Sequence, residues 1–168
     1  HDWWHYAEKL RKERYDLDEN ATKPYFDLEN VREGAFTMAN KLFGVTFEEV
    51  DVTGWNPVVV SFDVKDENGE HLGLFMTDMY ARDSKRGGAW MSEFRSQSAV
   101  NGINVAPVIM NVCNFSKPTA DTPTLLSLDE VETLFQTARF DLYLHLQTYR
   151  SGIDTLWVYS DQIIDLQL

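Results

Sequence analysis

Hydrophobic residues follow helical spacing at the start of the chain and at alternate positions through its middle. Residues 2–15 and 28–43 contain good helix formers, and the second segment has apolar residues at i, i+3 and i+4 steps. Asp27 stands where a helix N-cap is expected, and Gly44 stands where a left-handed residue commonly ends a helix. The pattern therefore predicts two helices. The predicted buried face of the second consists of Leu28, Val31, Ala35, Met38, Ala39 and Leu42.

From Val45 onwards the spacing alternates, which predicts strands separated by turn residues. Strands are predicted to open at Val45 and to cover 58–65, 72–80, 89–94 and 105–115. The predicted connections are a turn at 55–57, a hairpin turn at Asn68-Gly69, a loop at 82–88 and a turn at Asn101-Gly102. Segment 105–115 is the most apolar, so it is expected to be central and covered on both faces.

A third amphipathic helix is predicted over 125–145, with Ser127 as its N-cap and Glu130 completing a capping box. The order of elements predicts an α+β fold, in which helices pack on one side of a small, mainly antiparallel sheet and a long helix ends the chain. Residues 1–168 are expected to form a single domain. It divides into a helical part (1–44), a sheet part (45–116) and a C-terminal helix and tail (125–168).

Composition narrows the classes of partner. The formal net charge is −12, which disfavours nucleic acid and anionic membranes because phosphate binding needs clustered Lys and Arg. No apolar run approaches a membrane span, and the chain does not open like a signal peptide. A cytoplasmic location is favoured, although the compartment stays open. The single cysteine, Cys113, excludes an internal disulfide and is expected to be a buried small hydrophobe.

Eight short segments occur in the order known from one enzyme family. They include Pro24-Tyr-Phe, Asp78-Met-Tyr-Ala-Arg82, Lys85-Arg-Gly-Gly-Ala-Trp-Met91, and Leu125-Leu-Ser followed by Asp129 to Phe135. Together they make residues 2–135 resemble the thimet oligopeptidase and peptidyl-dipeptidase family of zinc metallopeptidases. The resemblance implies part of a mostly helical catalytic domain that encloses a channel with zinc at its floor and cleaves short peptides.

The resemblance also implies a small sheet beside the active site, whose edge strand aligns a peptide through backbone hydrogen bonds. Strand 89–94 is the expected edge. The implied peptide-groove residues are Tyr80, Arg82, Gly87, Gly88, Ala89 and Trp90. For the Lys85-Arg-Gly-Gly loop itself, a hairpin connection is favoured over an anion-binding cradle.

The zinc motif of the family is absent after Phe135. Family members continue with His-Glu-Phe-Gly-His, whereas this chain has Gln136, Thr137, Ala138, Arg139 and Phe140. A zinc hydrolase needs two imidazoles one helical turn apart and a carboxylate base beside the bound water. We therefore predict no catalytic and no metal-binding residues in this chain, with zinc belonging to the family alone. The segment after 135 is either the junction of an internal deletion or an unrelated tail.

Two functions are consistent with these observations. The first is a fragment or internally deleted homologue of a zinc-dependent oligopeptidase or peptidyl-dipeptidase, inactive as it stands. The alternative is a non-catalytic module that binds peptides or other proteins along the sheet edge. Short peptides are the expected partners in either case. Self-association is also expected if surface normally covered by other helices is exposed.

Overall fold

The computed structural model describes residues 3–15, 19–100 and 103–137. Three α-helices come first, α1 (Trp3–Tyr15), α2 (Glu19–Thr22) and α3 (Leu28–Phe43), with a 3₁₀ turn at Lys23–Tyr25 before α3. A further helix, α4, begins at 128 and is described as far as 137. None of the helices in the described ranges is long and apolar enough to cross a membrane.

The strands lie between α3 and α4. They are β1 (Thr46–Val50), β2 (Val60–Lys65), β3 (His71–Tyr80), β4 (Trp90–Arg95), β5 (Ser98–Val100), β6 (Ile103–Val105) and β7 (Val108–Phe115). Five strands form one sheet in the order β1-β2-β3-β7-β4, and β5 pairs with β6 separately. Within the larger sheet the β3–β7 pair is parallel and the other three pairs are antiparallel. The predicted α+β class with a mainly antiparallel sheet is confirmed.

Two connections differ from the sequence prediction. The loop at 82–88 is not a hairpin connection, because β7 lies between β3 and β4 in the sheet. The apolar run 105–115 is divided, because Pro107 has no N–H for a ladder and instead accepts a hydrogen bond from Leu74 N through its carbonyl. The predicted Asn101-Gly102 turn lies outside the described residues, although β5 and β6 on its two sides are paired.

Helix α3 has the predicted ends. The Asp27 carboxylate accepts hydrogen bonds from the backbone N–H groups of Glu29 and Asn30, and Gly44 adopts a φ of 73°. Its buried face agrees with prediction at Leu28, Val31, Ala35 and Ala39, but Met38 and Leu42 are exposed.

The contact stripe of α3 shifts along the helix. In its C-terminal half the contacts run through Phe36, Ala39 and Phe43, which pack against the second core cluster. Phe36 stacks on Phe47 with ring centroids 4.0 Å apart and meets the edge of Phe62. Met38 and Leu42 are therefore turned away from the strands.

Helix α4 begins directly after the predicted N-cap Ser127, so Leu125, Leu126 and Ser127 of the predicted span 125–145 precede the helix. Leu125 forms an isolated bridge with Asp27, and the buried Leu126 donates its N–H to the carbonyl of Phe26. These contacts hold the segment extended, so the helix starts after Ser127. The predicted capping box is confirmed, since Ser127 N donates to Glu130 Oε2 at 2.8 Å and Glu130 N donates to Ser127 Oγ at 3.3 Å.

Helices α3 and α4 cover the same face of the sheet. Alternate residues of β7 point towards them: Ile109 lies in the cluster with Ala39, and Cys113 and Phe115 lie in the cluster with Leu134 of α4. On the opposite face of β7, Val112 is also buried. The strand lies inside the sheet, but next to its edge strand. Its second face is only partly covered, since Val108, Met110 and Asn114 are half-buried, so the prediction of a central strand covered on both faces holds only in part.

A candidate peptide-binding edge

Strand β4 lies at an edge of the five-stranded sheet. It pairs with β7 from Trp90 opposite Val112 to Arg95 opposite Val108, and no other strand of the described part of the chain pairs with its outer side. The register shifts between Glu93 and Arg95, which makes Phe94 a bulge residue, and 76% of Phe94 is exposed. The unbroken ladder of β4 therefore covers residues 90–93.

A buried carboxylate organises the loop that leads to this edge. The Asp78 side chain, 1% exposed, accepts a bidentate pair of hydrogen bonds from Arg82 at 2.6 Å and a hydrogen bond from the Trp55 indole N–H at 2.9 Å. Lys85 Nζ lies 3.2 Å from the same carboxylate. Burial alone would raise the pKa of Asp78, but these donors outweigh it and the pKa falls below its ordinary value of 3.8.

Lys85 caps backbone carbonyls near the carboxyl ends of the parallel strands β3 and β7. Its ammonium group, on a side chain 6% exposed, donates to the carbonyls of Asp78 and Tyr80, each at 2.9 Å, and to the carbonyl of Cys113. The strands lose register between Asp78 and Tyr80, so these carbonyls would otherwise lack ladder partners. The Lys85 ammonium group of the Lys85-Arg-Gly-Gly loop is thus engaged by backbone carbonyls and the Asp78 carboxylate, which leaves the interpretation of the loop as an anion-binding cradle without support.

Asn114 holds the second half of the loop. Its side-chain amide donates to the carbonyl of Arg86 at 2.8 Å and to the carbonyl of Gly88 at 2.6 Å. Gly88 has a φ of 93°, a conformation that glycine adopts without strain. Loop and strand β7 are therefore joined on both sides of Gly87, immediately before β4 begins.

The six residues predicted for the groove occupy different settings. Tyr80 packs partly against the core at the end of β3, and Arg82 is held by Asp78. Gly87 and Gly88 lie in the loop with no heavy atom within 4 Å of an added Cβ. Ala89 packs partly against the core, and Trp90 opens β4 with 44% exposure. Gly87, Gly88, Ala89 and Trp90 form one continuous segment of loop and strand. Arg82 instead binds the Asp78 carboxylate at the start of the loop.

Sequence reasoning missed Trp55 and Asn114 in this region, and it missed the partners of Lys85. The hydrogen bond between Trp55 and Asp78 joins residues 23 positions apart in sequence. The hydrogen bonds of Asn114 to Gly88 and of Lys85 to Cys113 join residues 26 and 28 positions apart. No local pattern marks such partners. A charged loop following Asp78 was the available signal, and it was interpreted as a surface connection.

Cys113 does not have the setting of a nucleophile. It is fully buried, which confirms the prediction of a small core residue, and burial raises the pKa of its thiol to about 12. The thiol is therefore protonated at neutral pH. It lies 3.6 Å from Asn111 Oδ1, a neutral hydrogen-bond acceptor.

The donor groups of the described residues do not fit a catalytic zinc ion. No cluster of three or more His, Cys, Asp or Glu side chains occurs within 3–15, 19–100 and 103–137. His71 is exposed on β3 and pairs with Asp63 on β2. Of the five positions where the family resemblance implies the zinc motif, the two that are described have engaged side chains. Gln136 donates to Glu132, and Thr137 bonds to carbonyls of α4.

Comparison with known proteins identifies the family. A sequence model described as peptidase family M3 matches residues 1–138. This chain belongs to peptidase family M3.

Several known peptidases are similar to this chain. It is 51% identical over 136 residues to dipeptidyl carboxypeptidase of Escherichia coli (strain K12), covering 80% of this chain and 20% of that protein. It is 42% identical over 137 residues to organellar oligopeptidase A, chloroplastic/mitochondrial, of Arabidopsis thaliana, covering 77% and 17%. With oligopeptidase A of E. coli K12 the identity is 38% over 133 residues, covering 78% and 20%. The chain spans about a fifth of the length of these curated relatives.

Proposed function

We propose that the sheet of this chain binds an extended short peptide along β4, as the substrate-side part of a zinc-dependent oligopeptidase or peptidyl-dipeptidase. We also propose that the 168 residues as they stand do not cleave the peptide. The observation that carries the first statement is the open outer side of β4 in the described sheet. The names of the relatives, a dipeptidyl carboxypeptidase and oligopeptidases, support short peptides as the ligand class.

An edge strand binds peptides through its own backbone groups. Every second residue of 90–93 directs both its N–H and its C=O away from β7, so the unbroken ladder offers about four hydrogen bonds. Each contributes about 0.5–1.5 kcal/mol net, and ordering the peptide offsets part of that sum. The four bonds together give roughly 2–6 kcal/mol before that offset, so dissociation constants of about 1 mM or weaker are expected, with little dependence on peptide sequence.

The proposed lack of catalytic activity is based on the residues after Phe135. Gln136 to Phe140 contain no imidazole and no carboxylate, so they supply neither a zinc ligand nor the base that activates a metal-bound water. The hydrogen bonds of Gln136 to Glu132 and of Thr137 within α4 support a structural role for these two side chains. An internal deletion and an unrelated replacement both explain the break in resemblance.

The catalytic part is tested by metal content and turnover. Elemental analysis of the purified chain is expected to find no stoichiometric zinc, and a quenched fluorescent peptide is expected to stay intact with and without added Zn²⁺. One equivalent of tightly held zinc, with cleavage that a chelator abolishes, contradicts the proposed silence.

The binding part is tested by titrating the ¹⁵N-labelled chain with an N-acetylated, C-amidated pentapeptide of alanine and threonine. Shifts in the amide signals of 90–93 are expected, and the same peptide with alternate amides N-methylated on the pairing edge should bind at least about tenfold more weakly. Equal shifts from both peptides, or no shifts at β4, refute binding along the edge. Sedimentation of the free chain at the same concentrations tests self-association.

A further inference from the structure

The turn between β2 and β3 places an asparagine directly before a glycine. Of the asparagines in the chain, only Asn68 and Asn101 precede glycine, and Asn68 is the one within the described residues. Asn68 and Gly69 are both exposed, and a Cβ added at Gly69 would meet no heavy atom within 4 Å. Asparagine is among the thermolabile residues of proteins. A following glycine leaves its side-chain amide accessible to the next backbone nitrogen, because no side chain stands in the way.

The Asp66 carboxylate holds this turn closed. Its Oδ1 accepts hydrogen bonds from the backbone N–H of Asn68 at 2.9 Å and from that of Glu70 at 2.8 Å. Its Oδ2 accepts one from the side-chain amide of Asn68 at 3.3 Å. The backbone N–H of Gly69 donates to the carbonyl of Asp66 at 3.0 Å. One residue therefore binds both the Asn68 side-chain amide and the Gly69 nitrogen that could attack it.

We propose that Asn68 is a deamidation site whose reaction Asp66 restrains in the folded chain. When the turn opens, the Gly69 nitrogen gives up its proton to hydroxide or water and bonds to the side-chain carbon Cγ of Asn68. The bond from Cγ to Nδ2 breaks and the side-chain nitrogen leaves as ammonia, so that a succinimide ring remains. One water molecule then opens the ring at either carbonyl and leaves aspartate or isoaspartate at position 68.

Opening of the turn limits the reaction, because the closed turn keeps both reacting groups in hydrogen bonds. Intramolecular attack needs the reacting atoms about 3–3.5 Å apart with their orbitals aligned. Exposed segments open locally at a much smaller free energy than global unfolding. Each hydrogen bond that Asp66 supplies is expected to lower the fraction of open, reactive turns by about two- to tenfold. Asp66 therefore slows the modification without abolishing it.

The products would alter a hairpin that contributes to the core. Strands β2 and β3 carry Phe62, Val64, Leu72 and Phe75 of the second core cluster, and the turn of a hairpin fixes the register of its strands. Isoaspartate adds one carbon to the backbone between these strands, and either product adds a negative charge beside Asp66. The modified chain is therefore expected to unfold at a lower urea concentration. This inference does not depend on peptide binding along β4.

The test follows the full chain by peptide mapping with mass spectrometry, and isoaspartate is counted with an isoaspartyl methyltransferase. Each variant is incubated at neutral pH in buffer and, in parallel, in urea above its unfolding midpoint, and circular dichroism verifies that it is folded in the buffer. Asp66→Ala removes the side-chain acceptor. Glu70→Ala is the matched control, because it removes a neighbouring carboxylate and keeps the backbone hydrogen bonds of Glu70. Asn68→Gln removes the reacting asparagine.

Asn68 of the wild type is expected to react more slowly in buffer than in urea. Asp66→Ala should raise the rate in buffer about five- to tenfold, as the loss of roughly one net hydrogen bond predicts, and Asp66→Ser, which keeps a shorter acceptor, should fall between the two. Glu70→Ala should react as the wild type does, and Asn68→Gln should give no product at this position. In urea, where the turn is absent, Asp66→Ala and wild type should react at the same rate.

The remaining outcomes contradict separate parts of the proposal. Equal rates of Asp66→Ala and wild type in buffer overturn the restraint by Asp66, as does a wild-type rate in buffer equal to that in urea. An acceleration by Glu70→Ala as large as that by Asp66→Ala assigns the effect to charge alone and overturns the role of the hydrogen bonds. Absence of product at Asn68 in urea, when Asn101 has reacted, overturns the deamidation site itself.

Discussion

Asp78→Asn is the substitution that most directly tests how the loop before β4 is held. The change keeps the size of the side chain and removes its charge. Arg82 and the buried Lys85 then lose their shared counter-charge, and the N–H groups of the new amide would face the donors of Arg82. Removing one partner of a buried ion pair typically costs about 3–5 kcal/mol. Because the Arg82 side chain is 18% exposed, we expect the lower end of that range, about 3 kcal/mol.

The assay is urea unfolding followed by tryptophan fluorescence and circular dichroism. Asp63→Asn is the matched control, since Asp63 makes an ion pair with Lys65 and a hydrogen bond with His71 at a more exposed place on the neighbouring strand. The control should lose less than about 1 kcal/mol, as surface ion pairs do. A loss below about 1 kcal/mol in Asp78→Asn, equal to that of the control, refutes the reasoning that the Asp78 network organises the loop.

The pH dependence gives a second check on the same residue. The pKa of Asp78 is lowered in the folded chain from its ordinary value of 3.8. The ionised carboxylate therefore contributes its full stabilisation at every pH above the pKa that the carboxyl has in the unfolded chain. This contribution is lost as the pH falls through the lowered folded pKa. The difference in unfolding free energy between wild type and Asp78→Asn should therefore be constant from about pH 5 to about pH 7 and shrink below about pH 4. A difference that grows on acidification contradicts the assignment.

Three further predictions concern other residues. Cys113 should not react with a thiol reagent in the native chain and should react fully in about 6 M guanidinium, which unfolds most domains, because it is buried with a raised pKa; fast native labelling contradicts this. Ser127→Ala should cost about 1 kcal/mol in urea unfolding through loss of the α4 cap, whereas Ser92→Ala on exposed β4 should change little. Gly44→Ala should cost about 1–2 kcal/mol because of its φ of 73°, and an unchanged unfolding midpoint would contradict that strain.

The candidate site was predictable as a segment but not as a network. The resemblance indicated the stretch from Tyr80 to Trp90, and alternation indicated a strand beginning near Ala89. That this strand is an edge depends on β7 entering between β3 and β4, a long-range pairing that alternation does not encode. The pairing of Arg82 with Asp78 was likewise not apparent, because charged residues in a loop are usually solvated.

Local sequence determined the ends of the helices and the general class of the fold. Asp27, Gly44 and the Ser127 and Glu130 pair act within one turn of the backbone, so their roles can be inferred without knowing the rest of the molecule.

Tertiary structure decided what depends on distant partners. It placed Phe36 rather than Met38 in the contact stripe of α3. It held Leu125 extended beside Asp27 instead of in the helix, and it left one side of β4 without a strand in the described sheet. The physical reason is the same in each case: helix crossing and strand order are set by burial between segments far apart in sequence, whereas spacing along the chain reports only which face of an element is apolar.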